Sequence, residues 1–311
     1  MSKTKAPPRK ASRSGRRPTR GRTSTPSTPF VWLAGAVVAM IVAVVVWLNR
    51  PGASETTGGT APFTGGDLHS LISVPGDAGR LYVGGHQAVA TSSDGGATWA
   101  PVGSLEDADA MGWAFLDGAI WMGGHPGLEM STDGGSTFEQ RNDGLPATDI
   151  HALGGMGSTL YAASPAAGFL ASADGGSTWE IRNLSVGQSF MGAMLVDPSN
   201  PDRILASDLR AGGVESTDGG RTWHALGGVG SAMWMSWDPT NIDTIVVSGN
   251  GTAAVSRDAG ASWQPLVIPA GASIVQIDAN DPSTWYAATW TEDGTVDVSR
   301  STDGGSTWIP L

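Results

Sequence analysis

One eight-residue motif recurs six times along this chain, and the recurrence constrains the fold more than any other feature of its 311 residues. The copies are SSDGGATW at 92–99, STDGGSTF at 131–138, SADGGSTW at 172–179, STDGGRTW at 216–223, SRDAGASW at 256–263 and STDGGSTW at 301–308. Their aspartates are 39, 41, 44, 40 and 45 residues apart. That period is expected of propeller blades of four strands each, units that become stable by stacking on their neighbours. The expectation is an all-β fold, a six-bladed β-propeller of four-stranded blades over residues 67–311.

Within each copy the aspartate is placed to accept hydrogen bonds from backbone N–H groups of a tight turn, and glycine supplies the backbone angles that other residues avoid. Asp94, Asp133, Asp174, Asp218, Asp258 and Asp303 are therefore read as structural, with the terminal Trp or Phe packing inward. A second recurring element, an apolar pair before small residues, marks the second strand of each blade. Its copies are Leu81-Tyr82, Ile120-Trp121, Leu160-Tyr161, Ile204-Leu205, Ile245-Val246 and Trp285-Tyr286. The repeated motifs then fall between strands three and four, on the face of the one-to-two turns. Function is expected on the opposite rim, made of the two-to-three loops and the links between blades. Ring closure is expected to rest on packing, unless residues 60–66 add an edge strand.

The motif is that of the Asp-box or BNR repeat. It resembles the repeats of sialidases, sortilin-type receptors, xyloglucanases and photosystem II assembly propellers, and the resemblance covers residues 67–311. The DLH, GGHPG, MGW and DIHAL segments are also similar to a bacterial group of membrane-anchored Asp-box propellers labelled glycosylhydrolases, a label that rests on the shared repeat.

Charge divides the chain. Residues 1–50 hold ten of the eighteen Lys and Arg and no acidic residue, whereas the rest carries all 29 Asp and Glu against eight Arg, a formal −21. So acidic a domain repels nucleic acid. The basic arm at 1–29 is followed by nineteen uncharged residues at 30–48, about 28 Å of helix and close to a bilayer's hydrocarbon thickness. Trp32 and Trp47 lie near its ends, and the excess of cations before it places the N-terminus in the cytoplasm. The expectation is one transmembrane helix, a signal anchor in the cell membrane, with the propeller extracytoplasmic. A cleaved signal peptide fits less well, since its apolar region is normally shorter and no clear small-x-small site follows. Residues 49–66, rich in Gly, Thr and Pro, read as a flexible linker. The chain has no cysteine, hence no disulfide and no thiolate site.

Resemblance to sialidases would imply three arginines on a substrate carboxylate and a tyrosine nucleophile supported by a glutamate. Tyr82, Tyr161 and Tyr286 all occupy second-strand core positions, and of the eight domain arginines only Arg210 reaches the functional rim. Another glycoside hydrolase needs only two suitably spaced carboxylates. The rim candidates are Glu106, Asp107, Asp208, Glu292 and Asp293, with Trp290 as a sugar-stacking platform. Solvated surface charge accounts for the same residues.

Aligning the blades brings Asp67-Leu68-His69, Asp109-Ala110-Met111 and Asp149-Ile150-His151 into register at the start of three inner strands. LYVGGH and IWMGGH end alike on His86 and His125. Residues two apart on a strand share a face, so each Asp is expected beside its His or Met. His69, His86, His125 and His151 are the candidate metal ligands, for zinc or, with Met111, copper. Polar residues lining a wet central channel are the alternative. His224 is read as surface. Two functions from different classes follow. One is a membrane-tethered binding or assembly module for a metal, an envelope glycan or a protein partner; the other is a non-sialidase glycoside hydrolase.

Overall fold

The computed structural model describes residues 60–311. The basic arm, the apolar span and linker residues 49–59 lie outside the described residues. Among the described residues no helix is long and apolar enough to cross a membrane. They form an all-β propeller whose only helical turn is a short 3-10 segment at Gly103–Leu105.

Twenty-four strands run as six antiparallel meanders of four. The first is β1 (Leu68–Ser73), β2 (Leu81–Gly85), β3 (Val89–Ser92) and β4 (Ala100–Pro101); the second is β5 (Asp109–Leu116), β6 (Ala119–His125), β7 (Gly127–Ser131) and β8 (Glu139–Gln140). The third comprises β9 (Ala152–Met156), β10 (Thr159–Ser164), β11 (Gly168–Ser172) and β12 (Glu180–Asn183), and the fourth β13 (Phe190–Asp197), β14 (Asn200–Asp208), β15 (Gly212–Ser216) and β16 (His224–Gly227). Then come β17 (Trp234–Asp238), β18 (Asn241–Gly249), β19 (Thr252–Ser256) and β20 (Gln264–Pro265). The last four are β21 (Ile274–Ile277), β22 (Trp285–Trp290), β23 (Val296–Ser301) and β24 (Ile309–Pro310). Four meanders are separate sheets. The third and fourth join in one eight-stranded sheet, because β9 and β13 pair in parallel at Ala152–Gly192 and Leu153–Ala193.

The innermost strands surround an axis. A cavity of about 400 Å³ is lined by Ile72, Trp113, Gly155, Met194, Trp237 and Gln276, one residue from each inner strand. Second strands are the apolar centre of each sheet, as Leu81, Tyr82 and Val83 illustrate by their complete burial. Polar groups in this interior find partners: Trp113 Nε1 donates to Ser70 Oγ at 3.0 Å and Trp234 Nε1 to Gln276 Oε1 at 2.9 Å. Leaving such groups unpaired in an apolar core would cost about 1–3 kcal/mol each.

Closure uses both packing and an added edge. Ala279 N donates to Ser73 Oγ, 2.8 Å away, and Asn280 Nδ2 to the Val74 carbonyl, tying the last meander to the first. Phe63 bridges Thr295, Thr64 N donates to Gly294 O, and Val296 N to Pro62 O, each N–O distance being 2.9 Å. Leu311 N reaches Val298 O just beyond, so residues 62–64 continue the edge position that β24 begins on β23. The folded unit thus takes in the end of the segment read as linker.

Each repeat builds the same turn. In the second copy Asp133 Oδ1 accepts from the amides of Ser136 and Thr137, and Oδ2 from Thr137 Oγ1 at 2.7 Å, while Ser131 Oγ takes the Gly135 amide. Hydrogen bonds from the Thr four residues on hold the carboxyls of Asp94, Asp133, Asp174, Asp218 and Asp303 down at about 2. The terminal aromatics differ from the expectation. Phe138 is buried, but the five tryptophans are only part-buried; the indole N–H groups of Trp99, Trp179 and Trp223 donate to a carbonyl of their own turn, as Trp99 Nε1 does to Gly96 O, and those of Trp263 and Trp308 to the Leu226 and Val267 carbonyls.

Candidate functional site

At the opposite end of the first three meanders, histidines and aspartates alternate in one unbroken run of seven side chains. From the first meander outward, His86 Nδ1 lies 3.4 Å from Asp67 Oδ1, and Asp67 Oδ2 lies 3.2 Å from His69 Nε2. His69 Nδ1 meets Asp109 Oδ1 at 2.5 Å, and Asp109 Oδ2 meets His125 Nδ1 at 2.8 Å. Finally Asp149 Oδ1 is 2.6 Å from His125 Nε2 and 2.8 Å from His151 Nε2. His69 and His86 pack edge to face, as do His125 and His151.

The strands explain the convergence. Asp67 and His69 bracket the start of β1, Asp109 opens β5, and His151 sits just before β9; His125 closes β6, and His86 follows β2 directly. Asp109 and His125 are direct cross-strand partners. Glycine precedes both rim histidines because the backbone is crowded there: a Cβ on Gly85 would strike the Asp67 carbonyl, and one on Gly124 the Asp109 carbonyl. Those two glycines belong to the site's construction, and the doubled GGH was their sequence signal.

Asp109 is the hub. Its side chain is 6% exposed and His69 is 5% exposed, whereas His86 and His125 are 58% and 48% exposed. Burial works to raise the Asp109 carboxyl, but hydrogen bonds from His69 and His125 and the charge of the neighbouring imidazoles take it below the usual carboxylate range. Burial likewise depresses the His69 imidazole, and the hydrogen bond and charge of Asp109, with Asp67, reverse the direction to upward. For His151 burial prevails over the attraction of Asp149, and the imidazole is lowered. Two groups of three have donor atoms close enough to share an ion: Asp67, His69 and His86, and His125, Asp149 and His151.

The β5–β6 register slips between Ala110 and Gly112, which makes Met111 the extra residue of a bulge. His69 occupies the same bulge position in β1, between Leu68 and Ser70.

The carboxylates proposed for glycoside hydrolysis are dispersed in role. Asp208 is buried and holds its own turn, accepting from Ser189 Oγ, Arg210 N and Ala211 N. Asp293 accepts from Thr291 Oγ1 and Thr295 Oγ1, which hold its carboxyl below the ordinary range, the wrong direction for a general acid. Glu106 and Asp107 are exposed after the 3-10 turn, Glu292 is exposed in the β22–β23 turn, and Trp290 is 40% exposed at the end of β22. The three tyrosines are buried, and burial pushes Tyr286 up to about 12, so none is a ready nucleophile. His224 is exposed and pairs with Glu215, away from the Asp–His run.

The BNR/Asp-box repeat family matches residues 214–225, around the fourth copy of the motif. The fold is similar to that of the GH74 xyloglucanase from Xanthomonas campestris, with 19% identity and a TM-score of 0.56 over 81% of this chain and 46% of that one. It is similar to the GH74 enzyme of Niastella koreensis, with 20% identity and a TM-score of 0.57 over 81% and 46%. A chain of the nidogen/laminin complex aligns at 13% identity with a TM-score of 0.57, over 74% of this chain and 91% of that one. This chain spans less than half the length of the GH74 proteins, and at such identities the likeness is one of fold alone. No curated protein matches it.

Proposed function

We propose that this chain is a membrane-tethered, extracytoplasmic binding module, a propeller with one blade per meander and six in the ring, that takes a divalent cation on its Asp–His face. The tether rests on the apolar segment at 30–48 and on the basic arm before it, which by the positive-inside rule keeps the propeller outside. The observation that carries the binding assignment is the unbroken run from His86 to His151, with imidazole and carboxylate atoms 2.5–3.8 Å apart. Imidazole is the commonest protein metal ligand, and the seven side chains of the run, all His and Asp, suit zinc. An envelope glycan or protein would meet the same half-exposed rim. Glycoside hydrolysis draws support from the GH74 likeness only at the level of fold, and the rim carboxylates are largely engaged in turns or spread over the surface.

The test is metal content. Full-length chain should be recovered in the membrane fraction, purified in detergent, dialysed and analysed by elemental mass spectrometry beside His69→Ala/His151→Ala. Zinc should be retained by the wild type and lost by the variant. Recovery in the soluble fraction would remove the tether, and absence of metal before and after loading would remove the cation.

A further inference from the structure

We infer that the Asp–His face holds two divalent cations of the zinc class rather than one, on either side of a single carboxylate, Asp109, that fixes the coordinating nitrogen of both halves. The inference rests on the binding assignment above and specifies its ligand.

The chemistry starts at Asp109. An ionised carboxylate only accepts hydrogen bonds, and both of its oxygens face imidazole Nδ1 atoms, His69 at 2.5 Å and His125 at 2.8 Å. Both Nδ1 atoms must therefore carry the proton. In a neutral imidazole that leaves Nε2 as the lone pair, the arrangement in which a carboxylate orients a metal-binding histidine. Each of these two Nε2 atoms points at another carboxylate, Asp67 Oδ2 at 3.2 Å and Asp149 Oδ1 at 2.6 Å. A positive charge between each Nε2 and its carboxylate makes the contact attractive, a proton in the empty face and a metal cation in the loaded one.

A second imidazole completes each half. His86 Nδ1 stands 3.4 Å from the far oxygen of Asp67, and His151 Nε2 stands 2.8 Å from Asp149 Oδ1. Each half thus offers two imidazole nitrogens and a carboxylate, three protein donors with a position left for water or a ligand oxygen. Metal–ligand distances of about 2.0–2.1 Å in a tetrahedron put ligands roughly 3.3 Å apart. The nitrogen–oxygen contacts of the first half, 3.2 and 3.4 Å, have that spacing, and those of the second, 2.6 and 2.8 Å, reach it by opening about 0.5–0.7 Å. Independently of spacing, Asp149 Oδ1 is sealed from solvent and receives no hydrogen bond of acceptable geometry, although two imidazole nitrogens flank it. That oxygen, flanked by two imidazole nitrogens, is the position at which a cation would be held.

The experiment is a zinc titration of the full chain in detergent, by calorimetry or against a chelating dye. Wild type should bind two equivalents. His86→Ala, at an exposed position, should bind one, and so should His151→Ala. Asp109→Asn is the sharpest variant: its amide offers one acceptor and one donor edge, so one histidine keeps its tautomer while the other must accept at Nδ1 and carry its proton on Nε2. It should bind one equivalent, with the second weakened at least about tenfold. Two equivalents retained by Asp109→Asn would overturn the role of the shared carboxylate. One equivalent in the wild type, lost in His69→Ala/His151→Ala, would overturn the pair of sites and leave the binding face standing; none would remove both. Should Asp109→Asn fail to fold, the two histidine variants still decide the count.

Discussion

Aspartate does opposite work at the two ends of these meanders. At one end six copies lie inside eight-residue turns and spend their oxygens on amides and hydroxyls at most four residues away, as Asp94 does with Thr98 and Ser92. At the other end Asp67, Asp109 and Asp149 face imidazoles, and Asp109 reaches partners 40 and 16 residues distant. The first arrangement is complete within the motif and is repeated wherever the motif occurs. The second exists only once three meanders are assembled side by side, and the last three meanders lack it. Repetition therefore marks the end that holds the fold, and departure from repetition marks the end proposed to bind.

The strongest way to break this contrast is to damage a turn without touching the rim. Gly220 in the fourth copy has φ +89°, and a Cβ there would land on the Phe169 ring of the preceding meander. Gly220→Ala adds a left-handed backbone cost of about 1–2 kcal/mol to an overpacking cost of about 1–3 kcal/mol. Urea unfolding followed by tryptophan fluorescence should show a loss of roughly 2–5 kcal/mol, while the folded fraction keeps its zinc capacity. A loss of both together would mean that the two ends are not separable.

Acid sharpens the same contrast with a smaller effect. Five turn carboxyls have folded values of about 2, below the ordinary 3.8. A group depressed on folding binds fewer protons in the native state, so its contribution is full above 3.8 and is lost as pH falls through about 2. The turns' contribution to the thermal midpoint should be constant above about pH 5 and decline below about pH 4. Asp133→Asn, which cannot titrate, should start lower and decline less. An equally steep decline in that variant would assign acid sensitivity elsewhere.

What could be read in advance follows the same division. Motif period, strand order and the alignment of Asp67, Asp109 and Asp149 are local or periodic properties, and the sequence carries those openly. The role of Asp109 as a hub shared by His69 and His125 was not legible, since it depends on how far apart neighbouring meanders stand. Nor were the bulges that make His69 and Met111 the extra residues of β1 and β5, since they are exceptions to simple strand alternation. The parallel pairing of β9 with β13 escaped for a third reason: it comes from close approach of backbones at Ala152 and Gly192, and no side-chain pattern announces it.

The smallest effect tests whether the six turns are truly equivalent. Five copies place glycine after the aspartate, at φ between +66° and +75°, but the fifth places Ala259 there, at φ +57°. Its hydrogen bonds match the others, with Asp258 Oδ1 accepting the Ser262 amide at 2.8 Å and Oδ2 the Ser262 hydroxyl at 2.6 Å, so the backbone has been held in the left-handed region without glycine. An L-residue with a Cβ costs about 1–2 kcal/mol in that conformation. Glycine would remove this cost but would gain freedom in the unfolded chain, worth about 0.4–1 kcal/mol in the other direction. Ala259→Gly should therefore stabilise the protein by about 0.5–1 kcal/mol, read as a higher denaturant midpoint at unchanged slope. A destabilisation instead would mean that the alanine methyl contributes packing the other turns lack, and that the fifth turn departs from the other five in more than its sequence.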